Sequence, residues 1–408
     1  MNGKPPTLSR RSFIKTAGAA GLGSALAPLL GRGIIPSPTP AQAATDTTMP
    51  QRPFGRSGIQ VPILSLGGMF DIPSNQTMLK QAVRWGVTYW DTASVYSGGR
   101  SEVGIGQYFN SYPAEREKIF LVTKSTARSH RGMSNDLATS LERMNTDHVD
   151  LFFVHAIRDA SGMDSAMRDW ANEQKAEGRI RLFGFSTHSN MERCLLDAAR
   201  LDWIDGIMMT YNFRLMHEKK MQEAVNACVD AGIGLTAMKT QGGGGVETSS
   251  SRELELAGRF LQKGFSDKQA KLKAVWENPQ ISAICSQMPT MSILMANIAA
   301  ALDRTSLTAS DRQHLDDYAR QTYAHYCAGC TRICETAVAG NIPVGDVMRC
   351  LMYARSYGAV QEARNRFARI GADRIARLAR QDYSLAEARC PRRLPIARLM
   401  GEAIRELA

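Results

Sequence analysis

Four residues carry the chemistry most visible in the sequence: Asp91, Tyr96, Lys124 and His155. A tyrosine is a weak acid with an ordinary pKa of about 10. An ammonium beside it favours the phenolate and lowers that value. A carboxylate on the far side of the ammonium holds it charged and in position. A histidine nearby can hydrogen-bond a substrate oxygen and orient it. The set is a proton-transfer device, with Tyr96 as acid–base, Lys124 as its tuner, Asp91 as anchor and His155 as substrate guide. It suits the interconversion of a carbonyl and an alcohol, in which a developing alkoxide needs one proton. A lone strand-end Asp or His is more often structural. Four such residues in order at successive strand ends point to a site.

These residues close or follow apolar runs, in YWDTA, YSGG, VTKS and LFFVH. The runs belong to a regular alternation. Strands are predicted near 63–68, 88–93, 119–125, 149–155, 181–187, 206–212, 234–240 and 281–287. Amphipathic helices are predicted between them, at 74–85, 133–144, 190–200, 219–231 and 291–302. Strands buried on both faces read as continuous apolar runs, as these do. Eight such units in about 250 residues predict an α/β fold, a (β/α)8 TIM barrel over residues 50–305, with its chemistry at the C-terminal strand ends. A doubly wound sheet also alternates but carries a glycine-rich fingerprint at its first turn, and LSLGGMF matches that poorly. Residues 52–61 are expected to form a hairpin closing the bottom of the barrel.

The stretch YWDTASVYSGGRSEVGIGQYF and the strand ends around it resemble the aldo/keto reductase family, over about residues 52–302. The resemblance implies that Asp91, Tyr96, Lys124 and His155 form the catalytic tetrad. It also implies an NAD(P)(H) cofactor lying along strand ends five to eight, without a separate dinucleotide-binding domain. The matching positions are Ser186 and Thr187 in GFSTH, Tyr211 and Asn212, Lys239, and Asn297 as the adenine-proximal residue. Thr187 stands where an asparagine is common, and Met208 stands where many members have glutamine. The run Gly242–Gly245 is either a bare-backbone approach to a pyrophosphate or a flexible loop. The segment Ser286–Thr290 holds no cation for a 2′-phosphate, so no preference for NADP over NAD is implied.

Eight cysteines are present. Cys194, Cys228 and Cys285 read as small core residues. Cys327, Cys330 and Cys334 form C-x2-C-x3-C, and Cys390-Pro391 follows far downstream. Four thiolates can hold a [4Fe–4S] cluster, and Cys-Pro commonly closes a ferredoxin-type site. The segment 306–408, expected to be mostly helical, resembles the iron–sulfur extension of some aldo/keto-reductase-like proteins. Structural zinc on the same four cysteines and disulfides are the alternatives. Cys350 is a spare that could replace Cys390.

Residues 9–15 read SRRSFIK, an Ala- and Gly-rich stretch follows, and Ala41-Gln42-Ala43 ends it. This order predicts a twin-arginine signal peptide over 1–43, a periplasmic or other extracytoplasmic destination, and the twin-arginine translocase as a partner. That route carries folded proteins, so a cofactor can be loaded before export. The net charge is +11. The first 43 residues supply five of the basic residues and no acidic ones, leaving 45 basic against 39 acidic. The remaining excess reads as a solvated helical face, not a nucleic-acid surface. Apart from a weak candidate near the start, no run approaches the roughly 20 apolar residues of a span. The expected function is an extracytoplasmic oxidoreductase acting on a small carbonyl or alcohol, sugars included, with a redox partner possible. The alternative is a non-catalytic barrel serving as a binding or assembly subunit.

Overall fold

The structure, a computed structural model, describes residues 48–242 and 250–408. The expected signal peptide and residues 243–249 of the glycine-rich loop lie outside the described residues. Residues 47–408 belong to one compact unit.

A short hairpin of β1 (Gln51–Pro53) and β2 (Gln60–Pro62) pairs antiparallel. Eight parallel strands then close a barrel: β3 (Leu64–Gly67), β4 (Tyr89–Asp91), β5 (Phe120–Ser125), β6 (Val149–Ile157), β7 (Ile180–Thr187), β8 (Gly206–Thr210), β9 (Gly234–Met238) and β10 (Ala283–Gln287). β10 pairs with β3 to complete the ring. The hairpin stoppers the N-terminal end. Phe54 joins the barrel-interior cluster with Tyr89, Phe120 and Leu151, and its ring lies where side chains at Gly206 and Gly234 would otherwise be.

Successive strand residues face opposite sides, and this alternation decides what reaches the mouth. In β4, Tyr89 faces the barrel interior and Trp90 faces the helices, so Asp91 faces in. In β5, Phe120 and Val122 face in, and Lys124 follows them. In β6, Leu151 and Phe153 face in and Phe152 and Val154 face out, so His155 faces in. The outer face of the strands packs against the surrounding helices in one continuous core.

Beyond the last barrel helix (Met291–Leu302), the chain is helical to its end, with the longest of these helices at Val344–Tyr357 and Ile396–Leu407. This extension has its own apolar core, including Val347, Leu351, Phe367, Leu399 and Met400. It also docks on the barrel mouth. The Gly329 carbonyl accepts from the Asn190 N–H at 2.9 Å. Arg158, just past β6, pairs with Glu335 and Asp346 of the extension. Among the described residues, no helix is long and apolar enough to cross a membrane.

Candidate active site and the cysteine cavity

The structure brings all four tetrad candidates together at the barrel mouth. The Lys124 ammonium lies 2.6 and 2.7 Å from the two Asp91 carboxylate oxygens, and it donates to the Thr92 carbonyl at 2.7 Å. Both side chains are almost fully buried. The same ammonium lies 5.0 Å from the centroid of the Tyr96 ring. The Tyr96 and His155 rings meet edge to face at 5.8 Å and 87°.

The backbone aims His155. The β6–β7 register shifts between Val154 and Ile157, and Ala156 has φ 53°. Such a bulge re-aims the side chain beside it. The Ala156 N–H freed from the ladder donates to the Ser186 hydroxyl at 2.9 Å. His155 Nδ1 is buried and has no hydrogen-bond partner among the described residues.

Burial sets most of the protonation states. It raises the Asp91 carboxyl, with Lys124 opposing. It holds His155 well below the usual histidine range, helped by Lys124, Arg366, Arg349 and Lys239, so the imidazole is neutral at pH 7. It pushes Tyr96 well above 10, and the negative charge of Asp91 adds to the rise. The sequence reading expected Lys124 to lower the Tyr96 pKa. Instead Lys124 sits against the ring face with its donors engaged by Asp91 and Thr92, and the cation that favours the Tyr96 phenolate is Arg366 of the extension.

Several participants were missed from sequence. Cys285, read as a core residue, faces inward from β10, where burial and the negative charge of Asp91 push its thiol well up. Tyr353 of the extension accepts from the Lys239 ammonium at 3.0 Å. Arg366 stacks on the Tyr353 ring at 5.1 Å. His188 stands 6.5 Å from His155, ring to ring. Only Cys285 had a local signal, the inward parity it shares with Ala283. The others reach the mouth through docking.

The candidate cofactor residues are engaged with protein. Ser186 faces in but serves the Ala156 bulge. Thr187 faces out of the barrel, and its hydroxyl donates to the Ile157 and Ser189 carbonyls. Tyr211 also faces out, into the strand–helix layer, where its hydroxyl accepts from Asn278 at 2.9 Å. Strand parity turns both residues towards the strand–helix layer. Asn212 donates to the Lys239 carbonyl and to the Tyr326 hydroxyl of the extension. Asn297 donates to Ser286. Met208 is buried in the barrel interior. As arranged, these residues do not fit a dinucleotide. The 326–329 segment and Tyr353 of the extension stand at these strand ends, against Asn212 and Lys239.

The cysteines separate into two groups. Cys194 and Cys228 are buried between strands and helices. Cys327, Cys330, Cys334 and Cys390 line one small cavity of about 20 Å³, walled by Val344, Met348, Leu394 and Ile396. All eight thiols are free. Cys350 is buried in the extension core and does not line the cavity, so it does not stand in for Cys390. Among the described residues, no three His, Cys, Asp or Glu side chains converge closely enough to hold a single metal ion.

Comparison with known proteins follows the same division. The Aldo/keto reductase family model matches residues 64–316, so the cysteine cavity lies beyond the match. The uncharacterized oxidoreductase YrpG of Bacillus subtilis (strain 168) is 24% identical over 275 residues, covering 56% of this chain and 84% of that protein. The aldo-keto reductase AMT2 of Alternaria alternata is 25% identical over 230 residues, covering 45% of this chain and 62% of that protein, under two thirds of its length. The solved aldo-keto reductase AKR11C1 from Bacillus halodurans shares the fold, with a TM-score of 0.54 at 22% identity over 66% of this chain and 96% of that one. With more than half of its length matched, the chain belongs to the aldo/keto reductase family of oxidoreductases.

Proposed function

We propose that the barrel mouth interconverts a carbonyl and an alcohol on a small molecule, with Tyr96 exchanging the proton at the substrate oxygen. One observation carries this reading: a buried Lys124–Asp91 pair at 2.6 Å beneath the Tyr96 ring, with His155 edge-on to that ring. Tyr96 is held protonated across neutral pH and is a donor to a developing alkoxide. Neutral His155 has ring-nitrogen capacity left for the substrate oxygen. Asp91 and Lys124 act on the substrate through Tyr96. Replacing Tyr96 by Phe is expected to lower turnover about 10²–10⁴-fold. Turnover of every accepted substrate at the full rate in Tyr96→Phe sinks the reading. A wild-type chain that turns over no carbonyl or alcohol would favour the second one, a non-catalytic binding subunit, which draws support from the extension seated on the mouth.

Aldo/keto reductases typically use NAD(P)H. Besides the proton held by Tyr96, the interconversion needs a hydride donor or acceptor; a nicotinamide dinucleotide would supply it, and would reach the mouth with the extension moved off the β7–β9 strand ends. Cys327, Cys330, Cys334 and Cys390 would hold a [4Fe–4S] cluster, which supplies one-electron chemistry when bound. Support comes from four thiols spread around one apolar-walled cavity. A tetrahedral zinc ion would need all four sulfurs about 2.3 Å from one point. Anaerobically purified protein is expected to show the visible absorbance of an iron–sulfur cluster. Cys390→Ser should lose it and Cys350→Ser should keep it. Zinc without iron in the purified chain excludes the cluster. The twin-arginine sequence of residues 1–43 supports an extracytoplasmic site of action, reached after cofactor loading.

A further inference from the structure

The tetrad leaves unexplained a group of cations above it. Lys239 follows β9 with φ 56°, a left-handed conformation that a residue with a side chain adopts at a cost. Its ammonium meets the Tyr353 hydroxyl at 3.0 Å. Arg366 stacks on the same tyrosine ring at 5.1 Å, and Arg349 borders the same space. Both guanidiniums have carboxylate partners: Asp346 holds Arg349 at 2.5 Å and Glu362 holds Arg366 at 2.6 Å. Lys239 has no carboxylate partner among the described residues. It is half-buried, and burial lowers its pKa. A desolvated ammonium facing a neutral phenol is an unbalanced charge.

Lys239 lines a small cavity of about 30 Å³ with Arg349, His188, Thr210, Tyr326 and Cys327, the last also one of the four clustered cysteines. Two imidazoles lie between the cavity and Tyr96. The His188 ring is 6.5 Å from His155, and His155 is 5.8 Å from Tyr96. We infer that this cavity holds the carboxylate of a small oxo or hydroxy acid, whose carbonyl or alcohol end lies towards His155 and Tyr96. The carbonyl half of this inference rests on the Tyr96 reading above; the anion half stands on Lys239 alone. One uncompensated positive charge matches one carboxylate. A phosphate monoester, close to a dianion at neutral pH, would leave a negative charge stranded in a half-desolvated space.

Titration calorimetry on the anaerobically purified full chain tests this with three probes: para-carboxybenzaldehyde, its methyl ester and para-formylphenyl phosphate. The acid is expected to bind at least about tenfold more tightly than the ester, and more tightly than the phosphate. Lys239→Met should abolish the preference. Lys239→Arg should keep it, which separates charge from folding. Equal affinity for acid and ester, or a preference that survives Lys239→Met, overturns the inference. Tighter binding of the phosphate overturns the assignment to a carboxylate. A Lys239→Met effect confined to the redox potential of a bound cluster, with the acid preference intact, makes Lys239 a counter-charge to the cluster and also overturns it. Tyr96→Phe separates the two readings. Retained acid preference with full turnover leaves the anion site standing and removes the tetrad. Tyr96-dependent turnover without acid preference does the reverse.

Discussion

The barrel mouth contains two tyrosine–lysine pairs with opposite electrostatics. In the first, the Lys124 ammonium lies 5.0 Å from the Tyr96 ring centroid and is engaged by Asp91. Tyr96 is consequently pushed up by burial, and the carboxylate adds to the rise. In the second, the Lys239 ammonium also lies 5.0 Å from a ring centroid, that of Tyr353, but it bonds the hydroxyl and has no carboxylate partner among the described residues. Burial is the largest single influence on Tyr353 and pushes it up, but Lys239, Arg366 and Arg349 together outweigh it and pull the phenol down to about 8. Distance from ammonium to ring does not set a phenol's acidity. What matters is whether the ammonium reaches the oxygen and whether an anion has already claimed its charge. The first pair thus keeps a proton to give, and the second supplies a positive charge to a ligand.

The largest expected contrast is in stability. Lys124→Met strands the buried Asp91 carboxylate, and breaking a buried pair in this way costs about 3–5 kcal/mol. Lys239→Met strands no anion below pH 8, because Tyr353 is then neutral, and should cost no more than the roughly 1 kcal/mol of one hydrogen bond. Urea denaturation at pH 7 measures both. Equal losses would mean that Lys239 has a buried counter-ion after all, and the comparison fails.

A smaller effect is expected where the extension meets β7. Gly329 has φ 78°, and a Cβ there would approach the His188 carbonyl to 2.3 Å. Gly329→Ala should therefore cost about 1–3 kcal/mol of strain. The strain falls on the contact that seats the extension beside the second pair. Limited proteolysis should release the extension faster, and NADH affinity should rise if the extension is what excludes a dinucleotide. Unchanged proteolysis would show that this contact does not hold the extension down.

The first pair was legible in the sequence and the second was not, for a physical reason. Strand parity is local, and Tyr89, Phe120, Val122, Leu151 and Phe153 mark the inward face on which Asp91, Lys124 and His155 fall. The same rule turns Thr187 and Tyr211 outward. There the family resemblance and the period point to opposite faces. Lys239 was visible as a residue after β9, but its partners Tyr353, Arg349 and Arg366 lie more than 100 residues downstream. Their arrival depends on tertiary docking that no local pattern encodes. The four cavity cysteines were legible from spacing. Cys350 was separable from them only once its helix face, shared with Val347 and Leu351, was known to be buried.

The smallest effect is spectroscopic and separates the two tyrosines directly. Tyr353 faces Lys239 after β9, Arg366 on the following helix, Arg349 and Tyr357 on its own helix, and Tyr96 from the loop after β4. Of these tyrosines only Tyr353 is lowered, since burial raises Tyr96 and Tyr357. Phenolate absorbance should therefore show an early step near pH 8, absent in Tyr353→Phe and unchanged in Tyr96→Phe. The sign for stability follows from a folded pKa below the unfolded value of about 10. The favourable contribution is complete above pH 10, falls as pH drops, and is gone below about 8; its ceiling is roughly 2–3 kcal/mol. Above pH 8 the Tyr353 phenolate also neutralises Lys239. Carboxylate binding should then weaken in the wild type and persist in Tyr353→Phe, because the internal anion that competes for Lys239 is gone. An early step that survives Tyr353→Phe would assign the lowered pKa to another residue and dissolve the contrast between the pairs.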